Sequence, residues 1–585
     1  MWRRKAAALR REALARIYLR GYPRQVVNAK PRVVWGETLK PHRAYVIRKL
    51  RYEAVPDFWI PALLYVPTRL HGKTPVVLNP NGHHSGGKAV TYKQARCINL
   101  VKRGMIALNF EFLGMSELEA NASHDLDCAL LDLTGMAGVG LFYLAMRKGL
   151  DVLLAHNHAD ASRVCMTGLS GGGWQTIVLS ALDKRITVIV PVAGYTSVRA
   201  RVGCTREVGD FEQNPVDLTT VLDYQDMTSM LAPRPTLQLL NEKDDCCFKT
   251  SSVKPVIYDA VRPTFRAFGA GDNFKVHSNK DPGTHNYGAD HRSQLYKFLN
   301  EHFELDMPVE DLPYEEEVHT ERELTIGLPP EQRTMREMAY ARARVLAAHH
   351  RTPRTKAQRA SLRRQLVDVL RLPRYVRPTG RLVRGTRTCG TWLVTVGPWR
   401  VPVSGMVRGQ TGDVELAVAD VSGRAQWAGS DLSPRNSVRA RFVVDPLGSG
   451  ENCQSDKGGN SRHLMLVDAC GQRLLGVRVA QTLAVAEFVS KQTGTRRLTI
   501  SADGVVASLT ALLAAAIKPG RFHTAQMHRH CTTLCRLFEW PLPYEWIQSC
   551  MCFGLLEVAD VPQILALMQG VTLSQPARRV SDDPC

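Results

Sequence analysis

The chain has 585 residues, 44% of them hydrophobic and 22% charged, with 76 Lys and Arg against 55 Asp and Glu for a net charge of +21. That is about four times the ~150-residue domain average with a globular composition, which excludes a disordered or fibrous chain and calls for at least two cored domains. The charge is concentrated: residues 1–51 carry fifteen basic and two acidic side chains and residues 322–387 carry seventeen and four, while the remainder is weakly acidic. Nucleic-acid binding is therefore not expected of the cores.

No run of about eighteen uncharged apolar residues exists, so no membrane-spanning segment is expected. The basic start, Met1-Trp2-Arg3-Arg4-Lys5, lacks the apolar stretch and small-residue cleavage site of a secretory signal. Residues 1–44 read as a basic helical arm, either docked on the first domain or used for targeting. The fourteen cysteines are scattered and suggest no disulfide framework.

Residues 45–307 alternate short apolar runs with helical stretches, the pattern of a mostly parallel sheet covered by helices, an α/β domain. Strands are predicted at Val76–Asn79, Gly104–Phe110, Arg163–Thr167, Ile186–Val192 and Thr236–Leu240, and helices at Asp132–Leu154, Gly172–Leu182 and Arg292–Phe303. Residues 308–375 form a linker, with an acidic, Pro-containing exit followed by basic helices at Glu331–His350 and Thr355–Leu370.

Residues 376–585 contain a faint repeat of the first domain. The run Ile106–Phe110 into Leu113-Gly114-Met115-Ser116-Glu117 returns 334 residues later as Arg441–Val444 into Leu447-Gly448-Ser449-Gly450-Glu451. The same spacing carries Arg163–Thr167 onto Arg497–Ser501. Two segments sharing one spacing predict a second copy of the α/β unit.

Chemistry is signalled by Gly168-Leu169-Ser170-Gly171-Gly172, a G-x-S-x-G between a predicted strand and a predicted helix, where a nucleophile elbow belongs. A serine needs a base and an orienting acid, which in this fold follow it in the order Ser, Asp, His. The strand Thr236–Leu240 runs into Asn241-Glu242-Lys243-Asp244-Asp245, and Asp281-Pro282-Gly283-Thr284-His285 makes a turn before the last helix. Ser170, Asp244 and His285 complete the order, with Asp245 as the alternative acid and His277 and His291 as competing bases.

The oxyanion formed on an ester needs N–H donors. Gly171 supplies one, and His83, through its backbone in the glycine-rich loop Asn79–Gly87, is chosen for the other. The pair His83 and His84 has two competing readings, metal ligation and plain loop packing. Trp174, Glu111, Asp210 and His84 are candidates to line a substrate site; Glu212 is another carboxylate in reach of sugar hydroxyls, and core or surface roles compete for these residues. His523, His528, His530, Cys531, Cys535, Cys550 and Cys552 crowd one segment. They read as core thiols with neighbouring histidines, a disulfide or a metal site being the alternatives. No metal or cofactor is expected for the reaction.

In combination, Thr167–Thr176, Leu231–Thr236, Asn241–Phe248 and Asp281–Asn286 resemble bacterial acetyl xylan esterase-like proteins of the dienelactone-hydrolase branch of α/β-hydrolases. The resemblance covers roughly residues 45–305. It implies an α/β-hydrolase fold and serine carboxylic-ester hydrolysis, often of plant-cell-wall polysaccharide decorations, with Ser170, Asp244 and His285 at the triad positions. It also implies export, periplasmic or extracellular, and an ester substrate, polysaccharide-linked or small. Glucuronoyl or other ester hydrolysis, a prolyl-oligopeptidase-type peptidase and a non-catalytic polysaccharide-binding protein are the competing readings. In the second half the 334-residue spacing puts Gly504 where Ser170 stands and Ala502 and Val506 at the elbow glycines, so a degenerate hydrolase-like domain is expected there.

Overall fold

In the computed structural model, residues 1–204, 207–424, 438–453 and 459–574 are described, the side chains of residues 459–461 excepted. The chain divides into two compact units, residues 1–128 with 137–335, and residues 129–136 with 336–585.

The first unit is built on nine strands: β1 (Val33–His42), β2 (Tyr45–Val55), β3 (Phe58–Pro67), β4 (Thr74–Pro80), β5 (Ile106–Phe110), β6 (Ala159–Leu169), β7 (Val188–Val192), β8 (Thr236–Asn241) and β9 (Phe274–Asn279). They lie side by side in the order β1-β2-β3-β5-β4-β6-β7-β8-β9. The β1, β2, β3 and β5 contacts are antiparallel and all later ones parallel. This is the α/β-hydrolase arrangement, with the crossing at β4 and β5 placing the elbow strand β6 near the middle.

Burial explains the sequence pattern. Every residue of β4, β5, β7 and β8 is buried, because helices cover both faces of the parallel part. Strand β2 instead alternates, as a half-covered antiparallel strand does. One face is packed by Ile47, Leu63, Val77, Leu100, Val190 and Leu299, all buried. The helix Gly171–Leu182 is buried at all twelve positions, which makes the segment after Ser170 part of the core.

Three expectations are revised. The basic arm is helical only over its first part: Trp2–Ala13 is a helix, whose Arg10 Nε donates to the Ala181 carbonyl at 2.8 Å, but Val33–His42 is strand β1. The β-branched Val33 and Val34 favour an extended chain there. The expected helix Asp132–Leu154 is two helices, Leu126–Leu133 and Val139–Leu154, because Gly135 adopts φ +76° and turns the chain left-handed. The acidic exit segment is held by hydrogen bonds within the first unit. Arg292 clasps Asp311 with two contacts of 3.0 Å, and Leu312 N–H donates to Asn99 Oδ1 at 2.8 Å.

The second unit carries the basic helices Met335–His349, whose first residue closes the first unit, and Lys356–Val369. Its strands are β10 (Thr379–Gly385), β11 (Cys389–Val396), β12 (Trp399–Val407), β13 (Asp413–Val418), β14 (Val438–Val444), β15 (Leu498–Asp503), β16 (Phe522–His528) and β17 (Thr572–Ser574). Their order, β10-β11-β12-β14-β13-β15-β16-β17, repeats the first eight places of the other sheet with the same parallel and antiparallel contacts. Among the described residues no helix is long and apolar enough to cross a membrane.

A buried hydroxyl tests how the first sheet is held. Tyr52 is fully buried and its Oη donates to the Ala145 carbonyl of the covering helix at 2.9 Å. Tyr52→Phe is expected to lower unfolding stability by about 1 kcal/mol, read as a reduced urea midpoint.

Candidate active site

The parallel strands β6, β7, β8 and β9 end together. Leu169 pairs with Val192, Val192 with Leu239 and Leu239 with His277, so residues just beyond these positions emerge along one edge. Ser170 follows β6, Asp244 follows β8, and His285 follows β9 on the turn before the helix Ala289–Phe303.

Ser170 sits at φ +59°, ψ −119°, a conformation costly for a residue with a side chain. Its N–H donates to the Val192 carbonyl at 2.9 Å and its carbonyl accepts from Trp174 N–H at 2.9 Å, which pins the turn on both sides. The surrounding glycines follow from close approach of backbone to backbone. A Cβ on Gly82 would lie 2.7 Å from the Leu169 carbonyl oxygen and 2.9 Å from Gly171 N, and one on Gly173 would lie 2.5 Å from the Val192 oxygen. The loop after β4 thereby rests directly against the first turn of the elbow helix, whose leading N–H groups have no intrahelical partner.

Of the two adjacent carboxylates, Asp244 meets the imidazole: its Oδ2 is 2.8 Å from His285 Nδ1. Its Oδ1 accepts from the backbone N–H groups of Cys246 and Cys247 at 3.0 and 2.9 Å, and the side chain is buried. Asp245 accepts the backbone N–H of His285 at 2.9 Å, holding the loop rather than the ring. Burial alone depresses the His285 imidazolium, but the hydrogen bond and charge of Asp244 outweigh it, and the pKa is raised above the ordinary histidine value. The competing bases are engaged elsewhere: His277 Nε2 contacts Asp290 at 2.7 Å and His291 Nε2 contacts the Leu240 carbonyl at 3.0 Å.

Residues 40–214 match the model of the acetyl xylan esterase family, AXE1. Through this segment the first domain is similar to the acetyl xylan esterases. This makes the esterase domain a carboxylic ester hydrolase of the carbohydrate-esterase kind. The matched stretch contains Ser170 and ends before Asp244 and His285. Among solved structures, a methylesterase is similar at 23% identity and TM-score 0.47, covering 59% of this chain and 76% of its own. A glucuronoyl esterase from Solibacter usitatus is similar at 14% identity and TM-score 0.40, over 51% of this chain and 92% of its own. An acetyl xylan esterase from Paenibacillus sp. R4 is similar at 17% identity and TM-score 0.34, over the same shares. No curated protein sequence matches the chain.

The other candidates of the esterase domain separate by burial. Trp174 is fully buried, donates its indole N–H to Tyr224 Oη at 2.9 Å and stacks edge-on against Phe142, so it is a core residue. Glu111 is also fully buried: its Oε1 accepts Lys88 N–H at 3.1 Å and its Oε2 accepts Lys88 Nζ at 3.0 Å. It therefore fastens the loop carrying His83 instead of facing a ligand. His84 and Asp210 are accessible, Asp210 with 38% of its side chain exposed. The side chain of His83 turns toward His124 and Glu212. His124 carries no local motif and lies 41 residues from one partner and 88 from the other, so no sequence spacing could single it out.

Among the described residues of the C-terminal unit, the histidine and cysteine cluster does not assemble metal-ligand geometry. Its cysteines are free thiols; Cys531, Cys550 and Cys552 are buried, and His523 contacts Asp413 at 3.3 Å.

Removing the Glu111 carboxylate leaves Lys88 in the core with Glu117 as its one remaining counter-charge among the described residues. Glu111→Ala is expected to cost about 3 kcal/mol of stability, measured by chemical unfolding.

Proposed function

We propose that the first domain is a serine carboxylic-ester hydrolase that removes ester decorations from plant-cell-wall polysaccharide, with Ser170 as nucleophile, His285 as base and Asp244 as orienting acid. The observation that carries this reading is the strained Ser170 at the strand-to-helix turn, on the same sheet edge as a histidine ring bonded through Nδ1 to a buried carboxylate. The family of the matched segment supports an ester of carbohydrate as substrate.

In this mechanism Asp244 keeps the Nδ1 hydrogen in place and leaves Nε2 as the proton acceptor. As Ser170 Oγ attacks the ester carbonyl, its proton passes to Nε2 and the carbonyl electron pair moves onto oxygen. The N–H groups of Gly171 and His83 receive that oxyanion. Collapse breaks the bond to the alcohol, which leaves with the proton from Nε2. Water then repeats the sequence on the acyl-enzyme: it gives a proton to Nε2, bonds to the acyl carbon and frees Ser170 with the acid product. Asp244 stays ionised throughout.

Among its described residues the second domain shows no such elbow. Gly504 takes the place of Ser170 at φ +102°, and the carboxylate of Asp420 occupies the space into which a side chain there would project. Burial raises the pKa of Asp420, and an acid at this turn supplies no donor for an oxyanion in its ionised form. We assign it a supporting, non-catalytic role.

The test is hydrolysis of p-nitrophenyl acetate, acetylated xylan, a glucuronoyl methyl ester and a proline peptide by wild type and Ser170→Ala. Ester turnover is expected in wild type and a loss of at least ~1,000-fold in the variant. Undiminished turnover in Ser170→Ala overturns the mechanism, and peptide cleavage without ester cleavage overturns the substrate class.

The pH dependence has a definite sign. The base must be neutral, so kcat/KM rises as pH increases through the pKa of His285. Because that pKa is raised above 6.5, the acidic limb is expected to have its midpoint above 6.5. Asp244→Asn is expected to shift the limb to lower pH and reduce kcat by roughly 10,000-fold.

A further inference from the structure

The side chains of His83, His124 and Glu212 converge at the border of the loop after β4, and the ester chemistry uses none of the three side chains. His124 Nδ1 lies 3.0 Å from Glu212 Oε2 and 3.1 Å from His83 Nε2, and His83 Nε2 lies 3.6 Å from Glu212 Oε1. The three residues come from separate loops, following β4, β5 and β7. A tetrahedral ion with nitrogen and oxygen ligands at about 2.0–2.1 Å holds them roughly 3.3 Å from one another. The three separations bracket that distance.

Protons satisfy the arrangement only in part. His124 Nε2 is 2.6 Å from the Leu113 carbonyl oxygen, which only accepts, so Nε2 carries a hydrogen. In the neutral ring Nδ1 is then a lone pair facing a carboxylate. If Nδ1 is protonated as well, its one hydrogen serves Glu212 Oε2 or His83 Nε2. Either way Glu212 Oε1, in a side chain with no exposure, has no hydrogen-bond partner. A cation at the centre meets all of these atoms at once.

The neighbours suit such an ion. The Leu113 carbonyl sets the His124 tautomer from outside, as the outer partners of metal-bound histidines do. Phe112 packs edge-on against both rings, with centroids 5.2 Å from His83 and 4.8 Å from His124, and fixes their planes. Asp210 Oδ2, 3.5 Å from His83 Nε2, adds negative charge on the more exposed side. Two imidazoles and one carboxylate favour zinc-like ions over Mg2+ or Ca2+, which take oxygen ligands.

The geometry points to a binding site for a divalent transition metal ion of the Zn2+ type, formed by His83 Nε2, His124 Nδ1 and the Glu212 carboxylate. His83 follows Gly82, whose backbone rests on Gly171. The ion therefore also anchors the loop beside the elbow, whatever reaction the serine performs.

The full chain, stripped with a chelator, is titrated with Zn2+ by calorimetry and with Co2+ by visible absorption. Wild type is expected to show a saturable site with the intense absorption of tetrahedral Co2+ and a higher Tm in Zn2+. Glu212→Gln, which keeps the shape of the side chain, is expected to weaken that site by at least ~100-fold. His83→Ala, at a partly exposed side chain, is expected to lose the Zn2+-induced rise in Tm. Absence of saturable binding in wild type overturns the proposal, as does unchanged affinity and stoichiometry in both variants.

Discussion

The esterase domain depends on one close approach, that of three backbone segments packed against one another at the head of the elbow helix. The Leu169–Gly173 turn, the end of β7 and the loop after β4 come within van der Waals distance with no side chain between them. Only glycines permit this, and the reward is a serine held at positive φ by hydrogen bonds on both sides. The strain is local, while the restraint comes from a helix buried at every position and a strand in mid-sheet. A turn so enclosed cannot relax without moving the core.

The loop after β4 is held with similar redundancy. Asn81 Nδ2 donates to Asn109 Oδ1 at 2.8 Å and to the Phe110 carbonyl at 2.7 Å, and Gln175 Nε2 donates to the Asn81 carbonyl at 2.6 Å. Farther along, Lys88 is gripped by Glu111 while Lys93 Nζ donates to the Gly87 carbonyl at 2.8 Å. Desolvation lowers the pKa of Lys93 to about 7, despite the nearby Glu111 charge. Buried charges of this kind fix a loop more by the cost of leaving any of them unpaired than by their net attraction. The imidazole of His83 extends the same fastening toward His124 and Glu212.

The two sheets show which parts of the architecture are separable from chemistry. Strand order and direction recur through eight strands, and the strand-to-helix turn recurs at Gly504. What differs is the turn's content: a glycine in place of the serine, and the Asp420 carboxylate filling the adjoining space. The hydrophobic patterning that makes a covered parallel sheet tolerates this exchange, because the turn residue contributes nothing to the apolar layers above and below it.

From the sequence alone, the α/β class, the elbow at Ser170 and the chain order of Asp244 and His285 are legible, because each is encoded locally by apolar runs, flanking glycines and strand ends. The repeat is legible too, since the 334-residue spacing keeps the ends of β5 and β14, and of β6 and β15, in step. The first strand escapes notice because Val33–His42 is a largely exposed edge strand without clean alternation. Tertiary structure alone decides that Asp244 holds the ring while Asp245 holds the backbone, since the two are neighbours with the same charge and differ only in direction. It likewise moves Trp174 and Glu111 into the core and brings His124 and Glu212 to His83, a meeting of three loops that depends on chain packing and leaves no periodic trace in the sequence.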